Sequence, residues 1–411
     1  MNRVAVTGIG AVSPIGNSFD DSWNSAKAGL SGITPITKFD TFHLQWKVAG
    51  ELKGFDAGRY LSKKEMLRLD PFVQYAAAAS IMAAEDAGLL FPHSIPLSAG
   101  VIIGSGRGGI STLEKEIQKI YSSGFTPHAL RTSAYLMSST TISMASSYVA
   151  QKLGIKGYCL GISNACASGT SAIGEAYRLI RTGYTGLILC GGTEAPVCRI
   201  CIEGYGASGA LSRGNGAYAS RPFDRTRDGF VLSEGACVLV LEDYMSAVKR
   251  GVKIYGEITG YGNTTDAFHQ TKPSSEGESR AISMSIDEAE LKPDDIDFIN
   301  AHGTSTPLGD KTETEAVKLS FGGNAGHVPI TSIKSLTGHM LAASGALEAA
   351  FTLMSMREGI IPPTVNLKER DPDCDLDYVT ETRKAEIRHA ISHSFGFGGL
   401  NAVLTFKRSD S

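Results

Sequence analysis

One cysteine stands where its type and its neighbours make chemistry possible. Cys166 lies in CLGISNACASGTSAIGEAYRLI. An apolar run ends at Ile162, small residues follow, and a helix is predicted from Ala167. Cys166 therefore falls at a helix N-terminus, where partial positive charge and free N–H groups favour thiolate over thiol. The same N–H groups can face an oxyanion. A cysteine is more often a buried apolar residue, and that reading is given to Cys159, Cys190, Cys237 and Cys374. The small-residue turn reverses it for Cys166, a candidate nucleophile.

Three further segments carry reactive groups. In FINAHGTSTPLGD an apolar strand ends and His302 projects from its carboxyl end, where ligands gather in α/β sheets. Thr304 and Thr306 add hydroxyls to the same turn. In SIKSLTGHMLAASGALEAAF, Lys334 and His339 bracket a turn before an apolar helix. Glu348 lies inside that helix, and a buried carboxylate needs a partner, Lys334 or a histidine. In SHSFGFGGLNAVLTF, Phe395 and Phe397 stand in a predicted glycine-rich loop before the last strand. Such a loop can move and can aim N–H groups at an oxyanion.

Two other patterns are set aside. Cys198 and Cys201 form a C-x-x-C with no second pair and no nearby histidine, which argues against metal or redox chemistry. GSGRGG at 104–109 lacks the G-K-[ST] ending and the acidic follow-up of nucleotide loops.

The elements that must position these groups alternate. Strands are predicted at 4–9, 100–103, 158–162, 187–190, 236–241, 254–260, 298–301 and 402–406, short, apolar and bounded by glycine. Helices are predicted at 71–87, 167–181 and 341–356, the last apolar nearly all round and so buried. This βα alternation predicts a mostly parallel sheet covered by helices. VAVTGIG near the start and KIYGEITGYG further on hint at duplication, with a boundary near Gly251. That divides the chain into 1–250, carrying the cysteine, and 251–411, carrying the histidines.

The 411 residues are 42% hydrophobic and 20% charged, with a net charge of −3. That is a globular profile without the charge bias of nucleic-acid or membrane-surface binders. No apolar stretch approaches ~20 residues, so no membrane span is expected. Seven scattered cysteines and no signal-like start predict reduced thiols and a cytoplasmic protein.

NACASG, NAHGTST, KSLTGH and SFGFGG follow one another here as they do in the elongating β-ketoacyl-acyl-carrier-protein synthases, the synthase II subgroup, which the chain resembles from VTGIGAVSPIG to its end. RPFDRTRDGFVLSEGA and TDAFHQTKPSSEG add to the resemblance. It implies an α/β thiolase fold, with duplicated halves in five αβαβα layers. It implies a decarboxylating condensation of malonyl-acyl carrier protein with an acyl group on Cys166. The resemblance makes His302 and His339 the catalytic pair and Lys334 and Glu348 their support. Phe397 becomes a gate whose N–H joins that of Cys166 in an oxyanion hole, and Thr304 and Thr306 hold the pantetheine arm beside Phe395. No organic cofactor and no metal are implied. The implied partner is an acidic acyl carrier protein, docked on Lys63, Lys64, Arg68, Arg131 and Arg213. A homodimer is expected; a polyketide ketosynthase paired with a non-catalytic homologue is the alternative.

The chain departs from that pattern at four places. Asn164 stands where the family commonly has threonine, His393 where it has asparagine, and Leu67 where it has a basic residue. Arg107 replaces an aliphatic residue at the far end of the acyl tunnel. A guanidinium cannot stay buried without a partner. Either Arg107 turns to an acidic group, or it makes the tunnel end polar and disfavours long saturated chains.

Overall fold

The computed structural model describes residues 1–89, 96, 98–122 and 132–409. Ten strands form its main sheet: β1 Val4–Val12, β2 Gly100–Gly104, β3 Cys159–Ile162, β4 Leu187–Glu194, β5 Gly235–Asp243, β6 Gly256–Thr265, β7 Phe298–Asn300, β8 Ile330–Thr331, β9 His389–Gly396 and β10 Leu400–Lys407. Their order is β8-β7-β9-β10-β6-β1-β5-β4-β2-β3. From the middle outward, one half runs β1-β5-β4-β2-β3 and the other β6-β10-β9-β7-β8. Each strand of the second half repeats the place of the strand five earlier. The two segments whose glycine-rich starts hinted at duplication are β1 and β6, and they meet antiparallel at Val4–Val6 and Gly256–Ile258.

Seven helices make the layers: α1 Pro71–Asp86, α2 Met144–Leu153, α3 Ser168–Arg181, α4 Arg199–Ala207, α5 Ser275–Glu288, α6 Pro307–Phe321 and α7 Ala342–Glu358. α1 and α2 cover the outer face of the first half. α5 covers the second and carries α6. α3 and α7 pack on each other between the two halves of the sheet. The result is the five-layered αβαβα thiolase fold. With both faces covered, β1 and β4 are buried along their whole length. α1 starts where the Asp70 side chain accepts the Phe72 N–H and Pro71 takes a position that needs no donor.

The expectation of a mostly parallel sheet is overturned. Among the described residues the neighbouring strands make four parallel and five antiparallel pairings. Each half closes with antiparallel neighbours, β4 with β5 and β9 with β10. The second correction concerns β9. Phe395 ends a strand rather than standing in a loop, and only Phe397, Gly398 and Gly399 turn the chain into β10.

Close approach in the central layer brings the site together. A Cβ on Gly169 would stand 2.2 Å from the Ala342 carbonyl oxygen, and one on Gly192 2.1 Å from it. Glycine at both positions lets the start of α7 press against the start of α3 and β4. The loops before these two helices carry His339 and Cys166.

Candidate active site

Cys166 sits in a 3₁₀ turn, Ala165–Ala167, directly before α3. Ala165 is in the left-handed region at φ 47°, a costly conformation for a residue with a Cβ. The turn is held by Ser168, whose hydroxyl accepts the Asn164 N–H at 2.8 Å and donates to the Ala165 carbonyl at 2.6 Å. The Phe397 N–H points at the Cys166 sulfur.

The thiolate expected from the helix terminus alone is not what the structure favours. Burial pushes the Cys166 thiol up to about 11, against the countering Lys334 ammonium, the Phe397 N–H and the Arg107 guanidinium. Burial was not legible in the turn sequence. Because the thiol is neutral below that value and the thiolate forms above it, alkylation of Cys166 by iodoacetamide should keep rising from neutral pH towards pH 11. Peptide-resolved mass spectrometry separates it from the exposed Cys159. A plateau below pH 8 would contradict this.

His302 and His339 face each other, ring centroids 5.3 Å apart and planes at 83°. Both are buried. Burial first, then the Lys334 charge, holds each imidazole well below its ordinary range, so both are neutral at pH 7. Their tautomers follow from their partners. Lys334 Nζ carries only donors and lies 3.4 Å from His302 Nδ1, which must accept, so the proton is on Nε2. Ser344 Oγ accepts the Met340 N–H at 2.9 Å and lies 3.2 Å from His339 Nδ1, to which its free hydroxyl proton can be donated. With that donation, His339 carries its proton on Nε2 as well. Neither Nε2–H has a protein partner among the described residues.

Lys334 and Glu348 form a buried salt bridge, as the isolated carboxylate inside an apolar helix required. Lys334 also donates to the His302 carbonyl at 2.6 Å. Burial pushes the Glu348 carboxyl up to about 7 while Lys334 pulls it down. Breaking such a pair by deleting one partner costs about 3–5 kcal/mol.

Cys166, both histidines and Phe397 line one cavity of ≈ 450 Å³. Phe395, Thr304 and Thr306 line it too. The two threonine hydroxyls lie 3.0 Å apart, and Thr306 also caps α6 through the Gly309 N–H. Sequence reasoning missed Tyr205, Phe230 and Leu341 in the wall and Lys272 in the lining. Lys272 lies within TDAFHQTKPSSEG, a segment already singled out, but nothing in its pattern marked one residue.

Arg107 is not part of that wall. It is exposed in the single chain, donates to the Tyr205 hydroxyl at 2.8 Å and lies 5.3 Å from that ring's centroid. Its guanidinium bonds the Tyr205 hydroxyl rather than a carboxylate, with Glu194 within electrostatic reach, and it touches the cavity through Tyr205. Cys198 and Cys201 lie buried in the apolar cluster that packs against Cys166. Of the basic residues, Lys63, Lys64, Arg68 and Arg213 are exposed, and Arg131 lies outside the described residues. Arg213 follows the Ser208–Ala210 segment that lines the cavity, while Arg68 lines a separate hollow beside Tyr135.

No helix among the described residues is long and apolar enough to cross a membrane. Residues 1–247 match the family description "Beta-ketoacyl synthase, N-terminal domain", and 255–368 match "Beta-ketoacyl synthase, C-terminal domain". The chain is 44% identical over 411 residues to the 3-oxoacyl-[acyl-carrier-protein] synthase 2 of Synechocystis sp., covering 99% of this chain and 98% of that one. Among solved structures, the ishigamide ketosynthase/chain length factor superposes with a TM-score of 0.94 at 34% identity, covering 99% of both chains. A type II polyketide-synthase ketosynthase, bound to the hexaketide and in complex with its acyl-carrier protein, gives 0.91 at 33% identity, covering 99% of this chain and 100% of that one. With the cysteine turn, the paired histidines and their lysine–glutamate support in one cavity, and both family descriptions matched along the chain, this protein belongs to the β-ketoacyl synthases.

Proposed function

We propose that the chain is a 3-oxoacyl-acyl-carrier-protein synthase that elongates an acyl group held on Cys166. The observation that carries this reading is the pair of buried, facing histidines in the cavity of a half-buried cysteine.

The reaction has two halves. The Cys166 sulfur attacks the thioester of an acyl carrier protein, and the thiol proton leaves with the departing carrier thiol. Malonyl carrier protein then enters. Its carboxylate leaves as CO2, and the electron pair of the broken C–C bond becomes an enolate on the thioester. The Nε2–H groups of His302 and His339 stabilise the enolate oxygen, as preorganised donors do best in a dry site. The enolate carbon attacks the Cys166 thioester, whose oxyanion rests on the N–H groups of Cys166 and Phe397. Collapse expels the Cys166 thiolate, which takes up a proton, and frees 3-oxoacyl carrier protein. Thr304 and Thr306 are assigned to the pantetheine arm, and the exposed Lys272 to its phosphate.

The carrier-docking surface remains assigned to Lys63, Lys64, Arg68, Arg131 and Arg213. The division between halves is placed at Gly251, which closes the helix Tyr244–Arg250 in a left-handed cap just before β6. A second copy or a homologous chain is assigned to the end of the sheet. There β3 leaves Cys159 and Leu160 exposed, with Met137 and Tyr135 exposed nearby in sequence, and an uncovered apolar edge invites pairing. The high TM-score with a ketosynthase/chain length factor favours a second reading, the ketosynthase subunit of a polyketide or polyene system.

The test is a mass spectrum of the products from acyl and malonyl carrier proteins. The acyl mass should appear on the Cys166 peptide, and the carrier should leave two carbons longer as its 3-oxo form. Lys272→Glu in the same assay should raise KM for the carrier, more so at low salt. Absence of the 3-oxo product with every tested acyl chain would sink the reading.

A further inference from the structure

We propose that His393 is a positioning residue for His302, acting through Glu313. The proposal rests on the reading of His302 as a donor to the enolate oxygen.

Glu313 lies on α6 and is buried. It accepts the His302 N–H at 2.7 Å on one oxygen and the Gly303 N–H at 2.7 Å on the other. His393, from the middle of β9 and fully buried, reaches the same carboxylate with Nδ1 at 3.0 Å. An ionised carboxylate only accepts, so His393 carries its proton on Nδ1. Its Nε2 is buried without a hydrogen-bond partner. The ring therefore has one directional tie, to Glu313.

The His302 peptide is held at both ends by charged groups: its carbonyl by Lys334, its N–H by Glu313. Lys334 is kept in place by Glu348. His393 does the equivalent for Glu313 from β9, the strand paired in parallel with β7, which leads into His302. Its ring also lies 5.4 Å from that of Phe395, tilted by 35°, and the Phe395 ring lies 5.9 Å from that of His302. One residue of β9 thus braces the histidine loop and backs the strand that leads to Phe397. Glu278 lies buried near Glu313, and burial together with that neighbouring carboxylate pushes its own carboxyl well above the ordinary range. With His393 removed, Glu313 loses one of its three donors, and the carboxylate and the loop it holds must shift.

The experiment compares H393L and H393F, which fill space without a donor, with H393N, whose amide nitrogen can stand where Nδ1 stands. Malonyl decarboxylation and Cys166 acylation are measured separately, with melting temperature as a check on folding. Misplacement of a catalytic group by about 1 Å costs up to about 100-fold, so both apolar variants should lose roughly 10- to 100-fold in kcat for decarboxylation, with KM and acylation within about twofold. H393N should recover most of the rate. If H393L does not fold, the ring-shaped H393F carries the comparison. Equal decarboxylation by the apolar variants and H393N would overturn the proposal. H302A, run alongside, separates the two failures. If it keeps decarboxylation, the reading of His302 is wrong; if it is inactive while H393L and H393F match wild type, only the role of His393 falls.

Discussion

Cys166→Ala should abolish acyl transfer and condensation while the protein still folds. The sulfur is the acyl acceptor, and no other thiol lines the cavity among the described residues. Folding should survive because the turn is held by Ser168 and Asn164, not by the sulfur, and alanine suits the small-residue site. Activated nucleophiles act as a unit with their surroundings, so the loss is expected to reach background, with only binding and the oxyanion hole left to act. Malonyl decarboxylation need not fall with it, because both imidazoles stay in place. Radiolabelled acyl transfer to the purified variant is the measurement; detectable label on the protein, or 3-oxo product, would remove Cys166 from its role.

The second large effect is expected at the histidines. His302→Ala and His339→Ala should each slow CO2 release by about 10²–10³, the usual cost of losing one donor to a developing oxyanion. Acylation of Cys166 should suffer far less, since neither ring bonds the sulfur. The two need not be equal. His302 meets the buried Lys334 ammonium through its ring and its carbonyl; alanine keeps the carbonyl but takes the ring acceptor away from a buried charge, a costlier loss than that of a neutral contact. His339 holds only Ser344 through its ring. His302→Ala should therefore lower the melting temperature more. Variants that keep CO2 release but lose acylation would reverse the assigned roles.

Much of this site was legible before any coordinates. The order of the four motifs named Cys166, His302, Lys334, His339 and Glu348, and the energetic cost of a bare carboxylate inside an apolar helix pointed Glu348 towards Lys334. What escaped was whatever depends on burial from distant segments. β9 was hidden because Ser392, His393 and Ser394 are polar yet buried, so no apolar run marked the strand. The helix terminus under Cys166 was visible, but not the enclosure that outweighs it. Arg107 was placed in the right turn, but nothing local decided that its side chain would turn to Tyr205. The sheet was misjudged because alternation of strands and helices says which elements are neighbours in sequence, not the direction in which the last strand of each half returns.

The matched strand orders of the two halves bear on how such a site could arise. β3 leads into Cys166 and α3, and β8, its counterpart, leads into Lys334, His339 and α7. The loop before each central helix contains a residue forced to φ 47°, Ala165 in one and Leu341 in the other. The same kinked approach to a helix therefore presents a nucleophile in one half and proton donors in the other. Two halves of matching topology thus present opposite reagents, and the active centre they form belongs to neither alone. A mutation confined to one copy can retune acyl capture or carbanion formation separately, whereas the seam of α3 against α7 ties both to a common geometry.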